Sequence, residues 1–147
     1  MNYFIFIFSL TVSISAFWFS IKFIRLYLKV KKWNRVTATI LSKEIVLNPK
    51  SSSARSPYGL KVEYSFNYNN SEYKGHNVYL IELSGGWANH MKSTAERELS
   101  KIGDMMSVYV NPNDPSQSVI YCQGIGLYVF VFFMGIMALL IGFSKIL

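Results

Sequence analysis

The sequence predicts a membrane protein in which two transmembrane helices flank a small α+β domain, mostly antiparallel β and barrel-like. Three observations carry this. Two long runs carry no charge, Tyr3 to Ile21 over 19 residues and Pro115 to Ser144 over 30. The 147-residue chain is 51% hydrophobic yet 16% charged, so its charges crowd between those runs. Between them, too, the apolar spacing falls to the two-residue period of strands. Such a composition excludes a soluble enzyme of ordinary size and a disordered chain. The single Cys122 excludes an internal disulfide.

The first run spans ~28 Å as a helix, enough to cross a hydrocarbon core of ~30 Å with Lys22 snorkelling at its end. A cleaved signal peptide needs a basic stretch ahead of the apolar core, and none precedes Tyr3. The segment is therefore expected to stay as transmembrane helix 1, residues 3–24, with a basic juxtamembrane segment over 25–35. A β-rich domain follows over 36–122, and transmembrane helix 2 covers 124–144. Small residues recur at helical spacing on both helices: Ser9, Ser13, Ala16 and Ser20 on the first, Gly135, Ala138 and Gly142 on the second. Such faces permit close approach, as an antiparallel pair or in a homo-oligomer. Neither uncharged run holds an ionisable Asp, Glu, Lys, Arg or His, which argues for anchoring over transport.

Between Lys22 and Lys50 there are eight basic side chains against Glu44 alone, while Ser51 to Cys122 is nearly balanced. Basic residues beside a span are retained on the cytoplasmic side. The central domain is accordingly expected in the cytoplasm with both termini outside. Lys22, Arg25, Lys29 and Lys32 fall at i, i+3, i+7 and i+10, one stripe facing anionic lipid if the helix continues. No basic groove with interleaved aromatics accompanies them, so nucleic acid is not an expected partner.

In the central domain, Val36 to Leu47 is rich in β-branched residues and reads as a strand. Asn48 to Gly59, with two prolines and four serines, reads as an exposed loop. Leu60 to Tyr68 alternates cleanly, and after a turn at Asn69 to Ser71 the stretch Glu72 to Leu80 is expected to return as the second strand of a hairpin. Ser93 and Glu96 match a capping box opening a helix over Thr94 to Ile102, with Ala95, Leu99 and Ile102 on its apolar side. Met105 to Val110 and Val119 to Tyr121 read as two short strands around the turn Asn111 to Pro115.

These residues resemble the bacterial domain of unknown function 3592 family: Trp33 with Val36 to Ile40, Val62-x-Tyr64-x-Phe66, Tyr73-Lys74-Gly75, and above all Gly103-Asp104, Val108-Tyr109-Val110-Asn111-Pro112 and Pro115 between two membrane helices. The resemblance implies a two-helix protein of the bacterial cytoplasmic (inner) membrane with a β-rich module. It supplies no catalytic residues to carry over.

The chemistry-bearing residues are few. His76 and His90 titrate near neutrality, but no spacing suits a metal, and no nucleophile motif or phosphate loop occurs, so no catalytic residue, metal or cofactor is expected. An acid-base set could form only in space, from Glu82, His90 and Asp104. Aromatics including Tyr58, Tyr64, Phe66, Tyr68, Tyr73, Tyr79 and Trp87 crowd the central domain, and Trp87, beside Gly85 and Gly86, is the candidate partner contact. The expected function is a non-catalytic module that binds a protein partner. The alternatives are an immunity protein against a membrane-directed toxin, and a hydrolase using His90 and a carboxylate.

Overall fold

The computed structural model describes residues 2–48 and 57–144, so most of the expected polar loop after Asn48 lies outside the described residues. The chain forms two compact units, Met1–Lys29 with Gly124–Leu147, and Val30–Gln123.

The first unit is a pair of apolar helices, α1 (Asn2–Lys31) and α3 (Ile125–Phe143). Both are long and apolar enough to cross a membrane. Helix α1 runs without a break through the basic segment to Lys31. The small residues form the seam: Ser9, Ser13, Gly135 and Gly142 are buried, whereas Phe4, Trp18, Leu127 and Phe130 point outward. Ring pairs Phe6–Phe143, Phe17–Phe132 and Phe23–Tyr128 set the helices antiparallel, the last stacked at 4.3 Å. This is the close-approach geometry expected of the small faces.

The second unit is a five-stranded antiparallel sheet in the order β3-β2-β1-β4-β5. Its strands are β1 (Asn34–Leu47), β2 (Tyr58–Tyr68), β3 (Ser71–Gly75), β4 (Met105–Val110) and β5 (Ser118–Val119). The expected barrel is not closed, because β3 and β5 end after five and two residues and do not pair with each other. The sheet curls far enough, however, for the chain just beyond them to meet. Ile120 N–H donates to Asn77 O at 3.2 Å and Tyr121 N–H to Val78 O at 2.8 Å.

Along β2 the clean alternation turns Leu60, Val62, Tyr64 and Phe66 into the core and Lys61 and Glu63 outward. Asn69 and Asn70 take left-handed φ values of 50° and 63°, the conformation a two-residue hairpin turn demands. In β1 the alternation is interrupted by a bulge at Leu41, between Ile40 and Ser42. The extra residue flips the facing, so that Lys43 stands opposite Val62 and shares its sheet face. Its ammonium donates to the carbonyl of Ile102, just past the end of helix α2 (Lys92–Ser100), tying helix to sheet.

Two sequence expectations are corrected here. Helix α2 starts earlier than Thr94: Ala95 N–H donates to Met91 O at 2.9 Å, and Met91 is the cap, with no side-chain capping bond. Ser93 lies exposed inside the first turn, so the capping box does not form. The apolar side of the helix is nonetheless Ala95, Leu99 and Ile102, packed in the core. The strand expected through Leu80 stops at Gly75. A β-carbon there would lie 2.3 Å from Tyr64 Cε2 and 2.4 Å from Ser118 Oγ, so the backbone passes where only glycine fits. Beyond it the chain coils into a 3-10 helix, Leu80–Ser84.

Candidate functional site

Where β3 ends, β2 loses its outer neighbour. The chain crosses to the 3-10 helix, reverses at Gly85 with φ +78°, and returns toward β2 at His90, which exchanges backbone hydrogen bonds with Tyr58 at 3.2 and 2.7 Å. Between the departing and returning segments lies a cleft of about 600 Å³ lined by Leu60, Lys61, Glu63, Lys74 to Asn77, Glu82, Gly85, Gly86 and Trp87.

Trp87 forms one wall. Its indole covers Gly59 so closely that a β-carbon on Gly59 would lie 1.9 Å from Nε1. The side chain is still 42% exposed, the large aromatic of this unit with its surface most open to a partner. One face is thus braced by backbone, and an aromatic so held loses little freedom on binding.

Asn77, which also lines the cleft, belongs to a buried polar network. Tyr64 Oη contacts Ser118 Oγ at 3.0 Å and donates to Asn77 O at 3.2 Å, and Asn77 Nδ2 donates to Ser118 O at 3.0 Å. Burial pushes the Tyr64 phenol well up, so it stays a donor. Glu82 fixes the start of the 3-10 helix, its Oε2 accepting from Val78 N–H at 2.6 Å and from Tyr79 N–H at 3.3 Å. A glutamate side chain therefore caps amides at the helix start here, which Glu96 does not do at Ser93. Burial pushes the Glu82 carboxyl up, while those two backbone donors pull it back.

The rim carries both signs of charge. Lys61 pairs with Glu44 at 3.1 Å across the outer face of β1 and β2, and Glu63, Lys74 and His76 are exposed beside it. The sequence noted His76 only as a titratable residue and did not single out Lys61, Lys74 or Gly59, because only the tertiary fold brings them to Trp87.

Of the possible acid-base set Glu82, His90 and Asp104, no two are joined by a hydrogen bond or ion pair among the described residues. Asp104 is exposed, its carbonyl accepting from Ile40 N–H at 2.9 Å. The His90 ring lies 5.4 Å from that of Tyr79, with Nε2 buried and without a hydrogen-bond partner among the described residues. Burial pushes the His90 imidazole down, opposed by Glu98. No group of three or more His, Cys, Asp or Glu side chains suited to a metal occurs among the described residues.

Of the basic stripe, Lys22, Arg25 and Lys29 are exposed on α1, while Lys32 sits in the turn just past its end. Trp33, two residues past the end of α1, is buried.

Residues 36–124 match the family model of a domain of unknown function, DUF3592. The match starts two residues into β1, takes in the other four strands and the Trp87 cleft, and ends at the threshold of α3. No curated protein gives a significant match to the sequence.

Proposed function

Starting from a chain that belongs to the DUF3592 family, we propose a non-catalytic, membrane-anchored module that captures a protein partner through the Trp87 cleft. The observation that carries the reading is Trp87 itself. A partly exposed indole seated on Gly59 beside a cavity of about 600 Å³ is the kind of rigid aromatic anchor on which binding energy concentrates. The mixed charges of Lys61, Glu63 and Lys74 around it suit the polar rim of a protein interface better than a highly charged ligand.

Membrane placement is the second part of the proposal. Helices α1 and α3 bury small residues between them and turn Phe, Leu, Ile and Trp outward, the inverse of a soluble helix pair. In this reading both helices span the bacterial inner membrane, and the positive excess after Lys22 keeps the sheet unit in the cytoplasm.

The test pairs two variants in a deletion strain rescued by the full chain. Trp87→Ala should abolish the rescued phenotype and the crosslink to a partner while membrane levels hold. His90→Ala, which changes a side chain outside the cleft lining, should leave the phenotype unchanged. Loss of the phenotype in a well-folded histidine variant would transfer the reading to the hydrolase.

A further inference from the structure

A second, smaller pocket of the sheet unit shares no lining residue with the Trp87 cleft, and its chemistry is different. About 220 Å³ in volume, it is framed by Arg35 of β1, Ser107 and Tyr109 of β4, and the segment Ile120 to Gln123. From these residues we infer that the pocket is a headgroup site for an anionic phospholipid, with the Arg35 guanidinium taking the phosphate.

Arg35 and Tyr109 are directly opposed across the β1–β4 ladder. The guanidinium lies 4.7 Å from the centroid of the Tyr109 ring and donates to the Tyr109 hydroxyl. Stacking and hydrogen bond together fix the orientation of a side chain that otherwise costs rotamer entropy to immobilise, and that bond engages one of five N–H donors. A planar fork held in this way is matched to the two oxygens of a phosphate. Lys31 converges on the same place. The Cys122 thiol, pushed up by burial, is pulled down by Lys31 and Arg35 together. No carboxylate lines the pocket among the described residues, and Met106 and Ile120 offer an apolar wall to the glycerol end of a lipid.

The choice of a lipid over other phosphates rests on the membrane placement proposed above. Lys31 is the last residue of α1, and Gln123 comes two residues before α3 begins at Ile125. Residues so close in sequence to the ends of two spanning helices belong in the headgroup layer, where anionic lipids supply phosphate.

The experiment uses the full chain and its own Cys122 as reporter. Alkylation by N-ethylmaleimide is followed in nanodiscs of phosphatidylcholine with and without phosphatidylglycerol. An exposed reference thiol, Ser116→Cys with Cys122→Ser, reports the general effect of a charged bilayer. Phosphatidylglycerol should slow Cys122 at least about fivefold more than the reference, the weight of one basic contact with an anionic surface. Arg35→Gln, and independently Lys31→Gln, should abolish the excess slowing by phosphatidylglycerol, each variant being compared with itself in phosphatidylcholine alone. Arg35→Lys, which keeps charge without the fork, should leave partial protection. Equal slowing of Cys122 and the reference thiol would overturn the site. Protection by inorganic phosphate in detergent equal to that by lipid would reassign it to a free phosphate. Membrane placement is read separately, by flotation of the protein with the vesicles, so its failure is distinguishable.

Discussion

The hydroxyl of Ser13 donates across the helix pair to the carbonyl of Gly135 at 2.9 Å, while also reaching its own helix at Ser9 O, 2.8 Å away. One turn further, Ser9 Oγ donates to Ala138 O at 2.7 Å. These bonds exist only because the backbones are close. A β-carbon on Gly135 would sit 3.1 Å from Phe17 Cε1, and one on Gly142 would sit 2.8 Å from Ser9 Cβ. Proximity and hydrogen bonding are thus separable contributions to one seam.

Substitutions should separate them. Ser13→Ala removes the bond and keeps the space, so it should cost only ~0.6 kcal/mol, the average for an interhelical bond in a bilayer. Gly135→Leu fills the seam and should cost ~1–3 kcal/mol as overpacking. Thermal unfolding of the detergent-purified chain measures both. A larger loss for Ser13→Ala than for Gly135→Leu would mean that hydrogen bonding, not close approach, chiefly holds the helices together.

Orientation has its own test. In a Cys122→Ser background, Ser93→Cys places a thiol at an exposed position on α2. With the basic segment retained inside, an impermeant maleimide should label it only after the cells are lysed. Labelling of intact cells would put the sheet unit outside.

Titration of buried groups yields a signed prediction. Burial raises the Glu82 carboxyl above its ordinary 4.5, so the folded state favours its proton. The associated stabilisation is full below 4.5 and disappears as pH rises through the raised value. Near neutrality the charged form is therefore a cost, partly offset by the Val78 and Tyr79 N–H donors. Glu82→Gln, whose carbonyl can still accept a bond, should flatten stability between mildly acidic and neutral pH. Glu82→Ala should lose about 1 kcal/mol, as a lost cap does. For His90 the sign is opposite: a lowered value makes its contribution present above 6.5 and lost as pH falls, so His90→Gln should stabilise the acidic side. Urea melts across pH decide; an unchanged slope in both variants would place the dependence elsewhere.

How far the sequence could be read depended on whether a feature was local. The β2–β3 hairpin was legible because period two and the Asn69-Asn70 turn lie close together along the chain. The bulge at Leu41 blurred β1, since nothing in its neighbours announces that Lys43 will share a sheet face with Val62. Beyond Gly75 the alternation of Tyr73, Gly75, Asn77 and Tyr79 reads as one strand, and it is the approach of Tyr64 and Ser118 that ends the pairing. The capping box at Ser93 was a local match overridden by where Ala95 and Ile102 must be buried. At the cleft, Trp87 stood out beside two glycines, whereas Lys61, Lys74 and His76 join it only through the tertiary fold.

The last prediction concerns Gly59 and Trp87. Because a β-carbon on Gly59 would overlap the indole at 1.9 Å from Nε1, Gly59→Ala must displace Trp87 without altering any residue that a partner would touch directly. Displacement should cost ~1–3 kcal/mol of stability, less if the indole swings freely outward. If Trp87 anchors a partner, Gly59→Ala should reduce photocrosslinking from a probe at the exposed Ser84 as severely as Trp87→Ala does, about thirtyfold in affinity for a loss of ~2 kcal/mol. The double variant is the decisive arm. With the indole gone the new methyl has room, so Gly59→Ala with Trp87→Ala should be no less stable than Trp87→Ala alone while binding stays lost, a non-additivity expected only of residues in contact. Full crosslinking in Gly59→Ala would mean that the position of the indole is immaterial, and the cleft would cease to be the binding site.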